Sequence, residues 1–183
     1  MNDSRENTPE NSLASSQENS REELFNVRAP RFLLARTQGA CGRCRAPLRL
    51  FALVVPPGHE TLEEDDAPAM ETWQVARHHA FLFHVESLPA AIRTLLTQHA
   101  CSYRISGSAP QQGESWANHC ARCGAAQDDQ ALFCEPGGAF FPIDEAGARR
   151  IELQGFDAAF TAAAGGYAHE LEFCDAMRRS HKP

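Results

Sequence analysis

The chain of 183 residues has almost no lysine and no long apolar run. Lys182 is the only lysine, and this bias toward arginine is typical of a GC-rich coding sequence, which points to a bacterial source. A membrane-spanning helix needs about 18 or more consecutive apolar residues, and no such stretch is present. The N-terminus is polar and lacks an apolar segment, so we expect no secretory signal, no membrane attachment and a cytoplasmic location.

Signatures of common enzyme classes are also lacking. The chain contains no Ser/His/Asp signature, no Walker phosphate-binding loop and no dinucleotide fingerprint. Its seven cysteines are an odd number, which argues against a closed set of disulfides. Paired cysteines in a reducing cytosol bind metal more often than they form disulfides, so we expect a metal site here.

The formal net charge of -7 is concentrated in two segments. Residues 1–25 carry six acids and two arginines, while residues 59–71 carry six acids and no lysine or arginine. Residues 1–24 are polar and have little apolar surface to bury, so we predict a disordered acidic tail there. We predict one domain over residues 25–183, with an acidic insertion at 57–72.

Apolar patterning predicts a sheet with one or two packed helices. The segments predicted as strands are 31–40, 48–55, 78–85, 101–106 and 149–153. A helix is predicted from a cap at Ser87 to near residue 100, with Leu88, Ile92, Leu95, Leu96 and His99 on one face. A second helix is predicted over 158–164, ending at Gly165-Gly166.

Two Cys-x-x-Cys pairs stand 75 residues apart, and they supply Cys41, Cys44, Cys120 and Cys123. Two intervening residues let the chain turn so that both sulfurs face one ion, and four thiolates fill the tetrahedral shell of zinc. Gly42 and Gly124 are expected to take the left-handed conformation in these knuckles. We therefore predict an α+β fold, a mainly antiparallel sheet carrying a zinc ribbon, with one structural Zn²⁺.

Other chemistries remain open for the same residues. A thioredoxin-like motif is disfavoured at the first pair, because Pro47 and a strand-like run follow where a helix should begin. A zinc deaminase would use His84 and the two cysteines of the second pair as ligands, and Glu86 to move protons. His119 or Cys134 would replace a ligand if one knuckle were imperfect.

Arginine residues accompany both pairs: Arg43, Arg45 and Arg122. Four thiolates around a dication carry a net charge of about -2, which neighbouring arginines offset. The same arginines would contact phosphates if the first knuckle bound nucleic acid. Because the chain is acidic overall, we predict a non-catalytic interaction module with a protein partner, and nucleic-acid binding is the alternative.

The second pair lies in a distinctive segment, Trp116-Ala-Asn-His-Cys-Ala-Arg-Cys-Gly-Ala-Ala-Gln-Asp-Asp129, followed by Glu135-Pro-Gly-Gly-Ala-Phe-Phe-Pro142. It resembles a group of uncharacterised bacterial proteins with an upstream Cys-x-x-Cys and an aromatic-Ala-Asn-His-Cys-x-x-Cys-Gly-Ala-x-Gln-Gly-Asp segment. The resemblance implies zinc binding by the four paired cysteines and no particular activity; Asp128 stands where that pattern has glycine. From their positions beside the pair, Asn118 and Gln127 are predicted to support the metal loop through hydrogen bonds.

Overall fold

The computed structural model describes residues 25–63, 72–107, 114–169 and 173–180. The predicted disordered tail at 1–24 lies outside the described residues, as does 64–71 of the acidic insertion. The strands are β1 Val27–Ala29, β2 Phe32–Ala40, β3 Pro47–Val55, β4 Glu60–Glu63, β5 Thr72–Val75, β6 Ala80–Ser87, β7 Tyr103–Gly107, β8 Glu114–Asn118, β9 Glu152–Phe156, β10 Phe160–His169 and β11 Arg178–Ser180. The helices are α1 Ala90–His99, a π-helical turn Gln130–Cys134, α2 Glu145–Ala148 and a 3₁₀ turn Cys174–Ala176.

The described strands form one mainly antiparallel sheet, which confirms that part of the predicted fold class. The order is β11-β9-β2-β3-β6-β10-β1-β4-β5, and β8 pairs with both β6 and β7. Among the described strand pairs, β9 with β11 is the parallel one. Among the described residues, no helix has both the length and the apolar character needed to span a membrane.

Alternate residues of the central strands feed two apolar cores. Leu34 and Leu53 belong to the first core, against which α1 packs through Ile92 and Leu96. Their neighbours Ala35 and Val54 belong to the second core. The side-chain period of two in a strand produces this division, and the second core also contains the buried sulfurs of both cysteine pairs.

Helix α1 has the predicted apolar face but begins later than predicted. Ser87 is the last residue of β6, where it pairs with Ala163 of β10, so it does not cap the helix. Pro89 occupies the N-cap position with extended backbone, and Ala90 is the first helical residue. The sheet pairing of Ser87 outweighs its local preference for a cap.

The predicted helix at 158–164 is wrong, because residues 160–164 belong to β10 and no helix forms at 158–159. β10 pairs with β1 on one side and with β6 on the other. Alanine is a good helix former, and here the pairing with two strands distant in sequence overrides that weak preference. Gly166 is not a helix stop: a Cβ there would lie 2.4 Å from the Phe83 ring, so glycine permits close contact between β10 and β6.

The segment predicted as an acidic insertion, 57–72, contains β4 and the first residue of β5. β4 pairs with β1 and with β5, which extends the sheet at its edge. Arg28 forms an ion pair with Glu60, and its guanidinium lies 4.1 Å from the centroid of the Trp73 ring. An arginine of the neighbouring strand thus neutralises one of the acids that the sequence assigned to a loop.

Candidate metal centre

The four paired cysteines meet in one cluster. Their sulfur atoms all lie within 4.8 Å of one another. Two close separations cross between the pairs: Cys41 Sγ lies 3.7 Å from Cys123 Sγ, and Cys44 Sγ lies 3.7 Å from Cys120 Sγ. A zinc–sulfur distance of about 2.3 Å gives a tetrahedron with sulfur–sulfur edges of about 3.8 Å. A disulfide would bring two sulfurs to about 2.05 Å, so the arrangement fits a four-thiolate metal shell.

The first pair occupies the tip of the hairpin between β2 and β3. The N–H of Cys41 donates to the carbonyl of Ala46 at 2.9 Å, and the N–H of Arg45 donates to the carbonyl of Cys41 at 2.9 Å. Arg45 takes the left-handed conformation with φ of +58°. The prediction that Gly42 takes the left-handed conformation is therefore wrong. The turn has its left-handed residue directly after the second cysteine.

The second pair repeats this hydrogen-bond pattern at the end of β8. The N–H of Cys120 donates to the carbonyl of Ala125 at 2.9 Å, and the N–H of Gly124 donates to the carbonyl of Cys120 at 2.8 Å. Gly124 has φ of +71°, which confirms its predicted conformation. Arg45 and Gly124 hold equivalent positions, so the two knuckles are the same turn built twice.

Gln127 joins the two knuckles. Its Oε1 accepts the N–H of Gly42 at 2.9 Å, and its Nε2 lies 3.6 Å from Cys41 Sγ. Asn118 is fully buried one step further away, and its side chain pairs with the N–H and the carbonyl of Phe51 at 2.8 and 2.9 Å. Gln127 thus contacts a predicted metal ligand, whereas Asn118 fixes the strand that leads to the second pair onto β3.

Backbone N–H groups favour thiolates in this cluster. The amide of Cys44 contributes most to lowering the pKa of Cys41 to about 6, and the amide of Cys123 likewise lowers the pKa of Cys120. The amide of Ala125 lowers the pKa of Cys123, but burial and the three neighbouring sulfurs outweigh it and raise this pKa to about 11. Cysteine binds zinc as the thiolate, so a metal ion that binds this cluster would displace the protons of its ligands.

The cluster has a buried side and an exposed side. Cys41 and Cys120 are buried within the second core, while Cys44 and Cys123 are partly exposed. Arg43, Arg45 and Arg122 are exposed and belong to the knuckle turns. The arginines predicted to face a partner are therefore accessible to solvent.

The residues of the deaminase alternative are not brought together. The sulfurs of Cys120 and Cys123 cluster with those of the first pair, and His84 is not a member of that cluster. His119 and Cys134, named as substitute ligands, are not members either. The imidazole Nδ1 of His119 lies 2.9 Å from the carbonyl of Ala117.

Asp129 is a buried polar residue near the second pair that the sequence did not predict, and it contacts His84. Asp129 is buried, and its Oδ2 accepts the backbone N–H of His84 at 2.7 Å. Burial raises the pKa of Asp129, while the His84 amide acts in the opposite direction. Aspartate is mostly exposed in proteins, so residue type alone gave no reason to expect Asp129 to be buried. The one available signal was that Asp129, unlike the exposed Asp128, matches the aspartate of the resembled bacterial segment.

Comparison of the chain with protein-family models, curated proteins and solved structures gives no match. The four-sulfur cluster is thus the feature of the molecule from which a function is inferred.

Proposed function

We propose that this chain binds one structural zinc ion through Cys41, Cys44, Cys120 and Cys123 and acts as a non-catalytic interaction module. The observation that carries the proposal is the spacing of the four sulfurs, which matches the edge of a zinc tetrahedron. The two equivalent knuckle turns support it, because each directs two sulfurs toward a common point.

A shell of four protein sulfurs leaves no position for water or substrate, so the ion would stabilise the fold and perform no Lewis-acid chemistry. It would join the β2–β3 hairpin to the turn that follows β8, in the manner of a zinc ribbon. Reduced thiols are required for this role, which agrees with the proposed cytoplasmic location.

The exposed knuckle surface, Arg43, Arg45 and Arg122, is the proposed contact region for a protein partner. These arginines are sequence neighbours of cysteines whose thiolates would keep a negative charge after binding zinc. The long arginine side chains remain accessible there, and arginine is enriched at protein interfaces.

Metal analysis of the purified protein tests the structural role. We expect about one zinc per chain, since four thiolates complete one shell. Cys41→Ser should lose the zinc and lower the thermal unfolding temperature, because metal binding and folding are coupled. Cys101→Ser is the matched control: Cys101 is exposed and outside the cluster, so zinc content and unfolding temperature should not change. Fully folded wild-type protein without metal would contradict the proposal.

Nucleic-acid binding through the first knuckle is the second candidate, favoured by the exposure of Arg43 and Arg45. A salt-dependent affinity for single-stranded or double-stranded oligonucleotides would support it. Arg43→Gln with Arg45→Gln should then reduce both the affinity and its salt dependence. An affinity unchanged by this pair of substitutions would exclude the first knuckle as the contact site.

A further inference from the structure

A second cluster of arginines, separate from the knuckle surface, lines a cleft of about 570 Å³. The residues lining this arginine cleft are Arg36, Thr37, Gln38, Arg49, Arg149, Arg150, Glu152 and Arg178. Five of them are cationic and one is anionic, in a chain whose formal net charge is -7. The local excess of positive charge therefore opposes the charge of the molecule as a whole.

Sheet register brings together arginines from three strands and the acid of a fourth, while Arg149 and Arg150 lie in the turn before β9. Arg178 of β11 pairs with Glu152 of β9, and Glu152 pairs with Arg36 of β2. Gln38, two residues along β2 and so on the same face as Arg36, pairs with Arg49 of β3. Adjacent strands lie about 4.8 Å apart, so the row from β3 to β11 spans about 14 Å.

Ion pairs within the protein neutralise only part of this charge. Arg36 contacts Glu152 at 2.5 Å, and Arg149 forms an ion pair with Glu145. Arg36, and to a smaller extent Arg178, hold the pKa of Glu152 below its ordinary value. Within the described ranges no acid forms an ion pair with the other three cleft arginines, which are exposed: Arg49, Arg150 and Arg178.

The side chains that line the arginine cleft favour a ligand that carries phosphate groups. Guanidinium groups bind phosphate oxygens with two parallel hydrogen bonds, which makes arginine well suited to phosphate recognition. Among the residues that the structure describes, no aromatic side chain lines the cleft, and these residues offer no surface on which nucleic-acid bases would stack. Its volume lies within the range of small-ligand sites, about 300–1,000 Å³.

We infer that the arginine cleft binds a small ligand carrying two or more phosphate groups. Arg49, Arg150 and Arg178 would contact separate phosphates, and the Arg36–Glu152 pair would hold the floor of the cleft in place. The width of the arginine row favours several phosphate groups over a single orthophosphate.

Calorimetric titration of the full chain with inorganic triphosphate tests this inference. We expect saturable binding of one triphosphate per chain, and binding of orthophosphate weaker by at least about tenfold. Arg49→Gln with Arg178→Gln should weaken triphosphate binding by at least about tenfold. The matched control, Arg93→Gln with Arg104→Gln, changes the net charge equally at exposed arginines outside the cleft and should leave the affinity unchanged.

Three results would overturn the inference: no saturable triphosphate binding, equal losses in the cleft and control variants, or tighter binding of a single-stranded oligonucleotide that depends on Arg49 and Arg178. The last result would assign the cleft to nucleic acid. If the double variant does not fold, Arg150→Gln serves in its place, because Arg150 is exposed in the turn before β9. Unchanged triphosphate binding by a folded Arg150→Gln protein would likewise contradict the inference.

Discussion

A hydrogen bond from the His84 backbone N–H to the buried carboxylate of Asp129 accompanies a strained backbone at His84. His84 has φ of +48°, a left-handed conformation that costs a residue with a Cβ about 1–2 kcal/mol. The carboxylate of Asp129 accepts the N–H of His84 and so favours that conformation. Its other oxygen, Oδ1, is buried and has no hydrogen-bond partner in the part of the chain that the structure describes. An aspartate is therefore a costly acceptor at this position.

Two substitutions of Asp129 should separate the effect of its hydrogen bond on stability from the effect of its charge. Asp129→Asn keeps an oxygen for the His84 N–H and should be as stable as the wild type or more stable at pH 7. Asp129→Ala leaves that N–H unpaired and should lower the free energy of unfolding by about 1–3 kcal/mol. Urea denaturation of the three proteins measures the difference, and equal losses in the two variants would contradict this role for the hydrogen bond.

The difference in stability between Asp129→Asn and the wild type should change with pH in a defined direction. Burial raises the pKa of Asp129 in the folded state above its ordinary value of 3.8, so the folded state binds this proton more tightly. The resulting stabilisation is complete below the unfolded-state pKa and is lost as pH rises through the folded-state pKa. The stability of Asp129→Asn relative to wild type should therefore increase from pH 4 to pH 7. A constant difference over this range would show that the Asp129 pKa is not raised by folding.

At the scale of elements, the same knuckle turn is built with arginine in one hairpin and glycine in the other. Arg45 and Gly124 both follow the second cysteine of their pair, and both have positive φ. A Cβ at Gly124 would meet no atom within 4 Å, so only backbone strain opposes a side chain there. The two positions therefore provide a matched test of the turn.

Opposite substitutions in the two turns should have opposite effects. Arg45→Gly relieves about 1–2 kcal/mol of strain but adds flexibility to the unfolded chain, so stability should stay equal or rise by up to about 1 kcal/mol. Gly124→Ala introduces the strain and should reduce stability by about 1 kcal/mol. Thermal unfolding of the zinc-loaded proteins measures both effects. A clear loss in Arg45→Gly would indicate that its side chain, and not its backbone, supports the knuckle.

Elements with a local signature were predictable from the sequence, whereas those fixed by distant partners were not. The apolar face of α1 follows the helical period, and the strands around the first cysteine pair are rich in β-branched and aliphatic residues. β10 contains a run of alanines that locally favours a helix, and its pairing with β1 and β6 becomes visible only in the folded sheet. Ser87 likewise has a local preference for a cap that its sheet pairing overrides.

At the scale of the molecule, the cysteine cluster could be predicted from the sequence, whereas the arginine cleft could not. Cysteine is rare and chemically specific, so two Cys-x-x-Cys pairs predict a shared site even though 75 residues separate them. Arginine is common on surfaces, and the cleft draws its arginines from strands at both ends of the chain. The sheet order alone reveals that β2, β3, β9 and β11 are neighbours.

The proposed zinc shell of the four cysteines would be closed and would join two distant turns of the sheet. Zinc K-edge X-ray absorption of the purified protein tests it most directly, because it reports the type, number and distance of the ligand atoms. We expect four sulfur atoms at about 2.3 Å and no nitrogen or oxygen ligand. A shell containing nitrogen or oxygen at about 2.0–2.1 Å, or fewer than four sulfurs, would contradict the claim.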